Sequence, residues 1–168
     1  MSRAAVAQIH ATAIAWRGRA VLLRGPSGSG KSDLALRLVA AGWRLVADDR
    51  CDLSVGAGRL IVSPPRALAG LIEARGVGIV RVPARARAAV ALVVDLVPSA
   101  AVPRFPAPAM VRYLGIAVPR LRLAGFEASA PAKLGAALAA ISTARAKRAI
   151  VRAGRMRGHG TNARTRRK

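Results

Sequence analysis

Seven acidic residues, one cysteine and five aromatics are all that a chain of 168 residues holds of three residue types on which many functions depend. A lone Cys51 excludes an internal disulfide and, lacking partners at ligand spacing, a zinc site, which fits a reducing compartment. It reads as a small apolar residue beside a strand end. The aromatics Trp16, Trp43, Phe105, Tyr113 and Phe126 are too few and too scattered to stack a run of unpaired bases. Also missing are an uninterrupted apolar run of about 18 residues and, in the first thirty positions, a charged-then-apolar-then-small leader pattern. The expectation is a cytoplasmic protein with no membrane partner. Length allows one ordinary domain, and the absence of an internal repeat excludes a solenoid.

The shortage of acid leaves a net charge of +22. Such an excess ordinarily suggests nucleic acid. Here only four of the basic residues are lysines (Lys31, Lys133, Lys147, Lys168), and a chain rich in Arg, Ala, Gly and Pro has the composition of biased codon usage. Ten basic residues and no acid fall between Arg145 and Lys168, so the preceding part carries 19 basic and 7 acidic residues, or +12. Nucleic acid is therefore not the expected partner. The expected organisation is a folded domain over 1–144 and a basic, disordered tail over 145–168, with order ending near Arg152.

What is present is a glycine-rich phosphate loop. Gly25-Pro26-Ser27-Gly28-Ser29-Gly30-Lys31-Ser32 directly follows the apolar run Ala20-Val21-Leu22-Leu23 and directly precedes a helical pattern, Asp33 to Ala41, ended by Gly42. The glycines let the backbone turn tightly and aim N–H groups at a phosphate chain, Lys31 reaches the outer phosphates, and Ser32 can ligate Mg²⁺. A strand before the loop and a helix N-terminus after it supply the context that the motif needs. These residues predict a nucleotide as ligand, its phosphates bound by positions 25 to 32.

Around the loop, Gln8 to Trp16 and Ala20 to Leu23 read as a hairpin turning at Arg17-Gly18-Arg19, and Leu53 to Val62 as a second, turning at Gly56-Ala57-Gly58. Trp43 to Ala47 is a short strand leading into Asp48-Asp49-Arg50, a place where open α/β sheets put ligands. Val90 to Val94 is a buried strand ending at Asp95. Prolines 98, 103, 106 and 108 mark a loop, Val111 to Leu123 supplies short extended pieces, and Ala130 to Ile150 reads as one helix. Of Asp48 and Asp49, one can take a proton from an attacking hydroxyl or water while the other supports Mg²⁺ or orients Arg or Lys; on an extended strand they would point to opposite faces. Glu73 with Arg75-Gly76-Val77-Gly78 offers a metal-supporting carboxylate and a phosphate clamp beside a glycine turn. The residues by themselves leave open a protein kinase, a nucleotide-sensing module, and an ATPase or small-molecule kinase.

Ile9-His10-Ala11, the loop Gly25 to Ser32, Leu45-Val46-Ala47-Asp48-Asp49-Arg50 and Glu73-Ala74-Arg75-Gly76-Val77-Gly78-Ile79 occur in the order and at the spacings of HPr kinase/phosphorylase, and over roughly residues 6 to 140 the chain resembles that family's catalytic domain. The resemblance implies an α/β fold with a phosphate-loop core of the phosphoenolpyruvate-carboxykinase-like kind, a mixed sheet and flanking helices. It implies an ATP- and Mg²⁺-dependent kinase acting on a serine of an HPr-like phosphocarrier of the sugar phosphotransferase system, with reversal by inorganic phosphate. By position His10 matches the family's active-site histidine, Lys31 its loop lysine, Ser32 and Glu73 its Mg²⁺ ligands, and Asp49 the residue that exchanges a proton with serine, with Asp48 its partner and Arg75 holding charge. A hexamer is the assembly that the family implies. The hairpin begins within ten residues of Met1, as in the family's short forms. The Pro-Gly-Arg-Asn motif linked to dephosphorylation has no match in Pro119 to Phe126, and Arg104 matches the family's later active-site arginine by position only.

Deleting residues 152–168 is expected to weaken binding to a polyanion such as heparin at low salt and to flatten its salt dependence. An unchanged salt slope would show that the tail is not the source of that attraction.

Overall fold

In the computed structural model, the described residues are 7–157, with side chains described through residue 144. The strands are β1 (Ala7–His10), β2 (Thr12–Trp16), β3 (Arg19–Arg24), β4 (Arg44–Ala47), β5 (Arg50–Gly56), β6 (Arg59–Ser63), β7 (Leu71–Ala74), β8 (Gly78–Arg81), β9 (Ala88–Leu96), β10 (Ala109–Tyr113) and β11 (Ile116–Leu123). The helices are α1 (Lys31–Ala40) and α2 (Ala130–Arg157), with short 3₁₀ turns at Arg66–Leu68 and Ser99–Ala101. The chain divides into two compact units, Met1–Lys133 and Leu134–Lys168.

The first unit is built on a mixed sheet of order β1-β5-β6-β9-β3-β2-β4, with a separate two-stranded β7-β8 hairpin. Strand β9 is its axis. One edge of β9 is taken along most of its length by parallel β3, so the other is shared in turn: antiparallel β6 pairs at Ala88 and Ala89, and parallel β11 takes Val93 to Leu96. Strands β3 and β9 read as near-continuous apolar runs because both of their faces are covered, as parallel strands require. The hairpin turns at Arg17-Gly18 and Ala57-Gly58 have positive φ at both central positions, the combination that matches strand twist in two-residue hairpins.

Connectivity forces the sheet to curl. Strand β1 lies at one end of the order and β2 next to the other, yet only Ala11 separates them in sequence. Likewise β4, at the far end, runs into β5 after Asp48 and Asp49 alone. The expected single strand Gln8 to Trp16 is thus two strands on opposite ends of the sheet, and the two ends meet along a seam at Ala11 and Asp48-Asp49, tied by the Ala11 N–H donating to the Asp49 carbonyl at 3.3 Å.

Inside the curl, Ala13, Ala15, Leu22, Val46, Leu53, Val62 and Val93 belong to one buried cluster, to which alanines at 11, 20, 47 and 88 contribute small side chains that let strands approach closely. Helix α1 packs against β2, β4 and β7, burying Leu34, Ala35 and Leu38. It ends as expected at Gly42, whose φ of 92° supports a Schellman closure: Trp43 N–H bonds the Leu38 carbonyl at 3.0 Å and Gly42 N–H that of Val39 at 2.9 Å. Trp43 is in turn stacked on Trp16, ring centroids 5.7 Å apart.

In the second unit the Ala-rich composition favours helix, and Ser142 and Thr143 bond back to the carbonyls of Leu138 and Ala139. Helix α2 passes 144/145 without a break and continues to Arg157, so Arg152 to Arg157 is helical where loss of order was expected. Alanine and arginine are both good helix formers, and a helix can outlast the end of its apolar periodicity. The rest of the expected disordered tail, 158–168, lies outside the described residues. No helix among the described residues is long and apolar enough to cross a membrane.

Cys51 sits at the seam, fully buried, its thiol donating to the Ala11 carbonyl at 3.2 Å. Burial, and then the nearby Asp48, Asp52 and Asp49 carboxylates, push its pKa from 9.0 up to about 12. Ellman's reagent at pH 8 is expected to leave Cys51 untouched in the folded chain and to react fully after unfolding in urea. Because the folded chain keeps a proton that the unfolded chain releases above about pH 9, this group's contribution to stability should fall as pH rises through 9 toward 12. Prompt labelling of the native protein would contradict the burial.

Candidate active site

The loop Gly25–Gly30 leaves β3 and enters α1, whose N-cap Gly30 has φ 92° and carries no side-chain cap. The first-turn N–H groups, which a helix cannot satisfy internally, therefore face the loop. Lys31 is 8% exposed and its ammonium donates to the carbonyls of Gly25 (2.9 Å) and Pro26 (3.1 Å), so the cation lies within the curve of the loop. A cavity of about 440 Å³ opens beside it.

The seam supplies the opposite chemistry. Asp48, 8% exposed, accepts bonds from Thr12 Oγ1 on β2 (2.8 Å), Ser32 Oγ on α1 (3.0 Å) and the Glu73 backbone N–H on β7 (3.2 Å). One carboxylate thus joins three elements. Asp49 has φ 64°, a left-handed backbone that Asp tolerates better than most residues, and the Arg50 N–H closes back on the Asp48 carbonyl at 2.7 Å. Strand alternation is broken there. Both aspartates consequently line the cavity, against the expectation for adjacent residues on an extended strand. Asp49 Oδ1 lies 2.5 Å from His10 Nε2, so the two side chains form a pair at the seam.

Of the residues singled out in the sequence, His10, Ser27, Gly28, Gly30, Lys31, Ser32, Asp48, Asp49, Glu73 and Arg75 all line this one cavity. Gly25, Pro26 and Ser29 do not line it. Gly25, with φ 153°, lies under Ser29: a Cβ there would come within 2.5 Å of Ser29 Oγ, so its role is to close the loop. Arg104 lies outside the lining, its guanidinium over the Phe105 ring. Asp95 stands at the end of the strand beside β3, where phosphate-loop enzymes commonly carry a metal-supporting aspartate. Here it binds Arg24 at 2.6 Å, and Arg24 also donates to the Tyr113 hydroxyl at 2.7 Å. The seam carboxylates face the loop instead.

Ala74 and Val77, from the Glu73 to Ile79 segment, line the cavity as well, and so do Thr12, Asp33, Leu36 and Phe126, which had no signal as site residues in a single sequence. Thr12 sits in an apolar strand, and Phe126 is 97 residues after Ser29, in a segment compared only with a motif it does not match.

Ser32 and Asp48, bonded to each other, and Glu73 bring oxygen donors to the same cavity. Among the described residues no group of three or more His, Cys, Asp or Glu is arranged to hold a metal alone. That combination fits Mg²⁺, which typically takes one or two carboxylates and completes its shell with phosphate oxygens and water.

The family model of the HPr serine kinase C-terminal domain matches residues 2–124. The chain belongs to that family. HPr serine kinase C-terminal domain relatives include the HPr kinase/phosphorylase of Clostridium tetani, 43% identical over 76 residues, 45% of this chain and 25% of that protein. That of Streptococcus thermophilus is 47% identical over 75 residues, 44% of this chain and 24% of that protein. The matched stretch thus spans about a quarter of these relatives' length. The solved structure of the Hpr(Ser) kinase/phosphatase from Coxiella burnetii superposes with a TM-score of 0.74 at 26% identity, covering 92% of this chain and 99% of that one. The mixed α/β architecture of this HPr serine kinase C-terminal domain is therefore the one expected.

Replacing Asp48 with Ala would strand the buried Thr12 hydroxyl and the Glu73 N–H. We expect a loss of stability of about 1–3 kcal/mol for each donor left without an acceptor, measured by urea unfolding, and partial recovery when Thr12→Val is added. A loss well below 1 kcal/mol would show that the carboxylate does not tie these elements.

Proposed function

We propose that this chain is an ATP- and Mg²⁺-dependent serine kinase for an HPr-like phosphocarrier, and that the same site runs the reverse reaction with inorganic phosphate. The observation that carries the reading is the meeting, in one cavity of a family member, of Lys31 in its glycine loop with the His10–Asp49 pair.

On this reading the loop N–H groups, the α1 N-terminus and Lys31 hold the outer phosphates of ATP and stabilise the charge that spreads over the transferred group. Arg75 adds a cation from the β7-β8 hairpin. Mg²⁺, held by Ser32, Asp48 and Glu73, would neutralise charge on the phosphate chain. The serine hydroxyl oxygen forms the new bond to the γ-phosphorus as the bond to the β-bridging oxygen breaks, and Asp49 receives the hydroxyl proton. His10, donating through Nε2, holds the Asp49 carboxylate in one orientation and leaves its second oxygen to face the hydroxyl. In reverse, phosphate oxygen attacks the phosphoserine phosphorus, pyrophosphate forms, and Asp49 returns the proton to the leaving serine oxygen.

The reading is tested with labelled ATP, Mg²⁺ and a purified HPr-like protein, its regulatory serine changed to alanine as control. Label on the wild-type carrier alone supports it; ATP binding with no transfer would favour a nucleotide sensor. Asp49→Asn is expected to lower the transfer rate by about 10²- to 10⁴-fold, the range of general-base contributions, while ATP affinity stays within about twofold. Transfer near the wild-type rate would remove Asp49 from the role of base.

A further inference from the structure

The aromatic ring of Phe126 is 68% exposed, yet it stands at the cavity, and the backbone on both sides of it is fastened. The Arg37 guanidinium donates to the Glu127 carbonyl at 3.0 Å and also to the Gly125 carbonyl, bracketing Phe126, while Arg37 is itself held by Asp33 at 2.9 Å. Gly125 lies so close to the phosphate loop that a Cβ would come within 2.7 Å of the Ser29 carbonyl oxygen. Glu127 is bound by Ser99 Oγ at 2.8 Å and by Lys133. The ring meets the loop at Gly30, where an added Cβ would be 3.2 Å from two ring carbons. A large apolar side chain that folding leaves uncovered but holds in place is pre-organised for a ligand.

We propose that Phe126 is the stacking platform for the base of the bound nucleotide. The inference rests on the reading of Gly25–Ser32 as a phosphate site. Three polar side chains of the cavity are held by its own carboxylates: Thr12 and Ser32 bond to Asp48, and His10 bonds to Asp49. Phe126 adds a π-face at the edge of the loop that would hold the phosphates, within a nucleotide's length of Lys31. Because every base has a face to stack, such a platform holds adenine and guanine alike.

The test uses the full chain and three probes with Mg²⁺: ATP, GTP and inorganic tripolyphosphate, titrated by calorimetry against wild type, Phe126→Ala and Phe126→Trp. Wild type is expected to bind both nucleotides more tightly than tripolyphosphate. Phe126→Ala should weaken both nucleotides by about 5- to 100-fold, the range for loss of one base–aromatic stack, and leave tripolyphosphate within about twofold. Phe126→Trp should restore nucleotide affinity. Unchanged nucleotide binding in Phe126→Ala overturns the proposal, as does an equal loss for tripolyphosphate, which would place the ring's effect in the loop. A rise in KM for the carrier protein with ATP affinity unchanged would overturn it in favour of a protein-docking role. Wild-type chain that binds none of the three probes would overturn the phosphate-site reading together with the platform; tripolyphosphate binding without a nucleotide advantage would overturn the platform alone.

Discussion

A buried carboxylate is tolerable only when its oxygens are supplied with donors, and Asp48 has three from three different elements. The placement of the site follows from that requirement. Thr12 fixes β2 against the seam, Ser32 fixes the start of α1 and therefore the end of the glycine loop, and the Glu73 N–H fixes the hairpin that carries Arg75. Had the donors come from one strand, burial of Asp48 would have been local. Coming from three, it sets the distance between the glycine loop, the hairpin and the adjoining Asp49.

Acid is so sparse that its distribution can be followed residue by residue. Asp33 pairs with Arg37, Asp52 accepts from Gln8, Asp95 joins Arg24, and Glu127 meets Lys133 and Ser99, which lower its pKa. Asp48, Asp49 and Glu73 face the cavity, which Asp33 also lines. In a chain with a large excess of arginine, a cavity lined by four acidic residues with Lys31 and Arg75 is a local concentration of negative charge.

Much of this could be read from the chain. The loop motif, the carboxylate pair, the Glu73–Gly78 cluster and the helix ending at Gly42 are local signals, and local backbone chemistry is what glycine, lysine and aspartate at fixed offsets report. The buried run at Val90 to Val94 marked the sheet's central strand for the same reason. Non-local facts were not legible. Nothing in Gln8 to Trp16 signals that Ala11 is a corner between two ends of a sheet, because the apolar alternation carries through it. The convergence of Asp48 and Asp49 depends on a left-handed φ at Asp49, which the turn tendency of Asp permits but does not demand. Phe126 reaches the loop through the chain's return after β11, and the clamp that holds it involves Arg37, one arginine among many.

The shared edge of β9 has a consequence for the order in which the protein can be made. Strand β3 and the loop it launches are complete by residue 30, but β3 acquires its parallel neighbour only with residues 89 to 95, and β11 cannot seat until beyond residue 120. Closing those long sequence separations is slow relative to local hairpin formation. A growing chain on the ribosome therefore carries the glycine-loop motif without the strand that would hold β3 rigid until residues 89 to 95 have been made, and the loop takes its shape only after that.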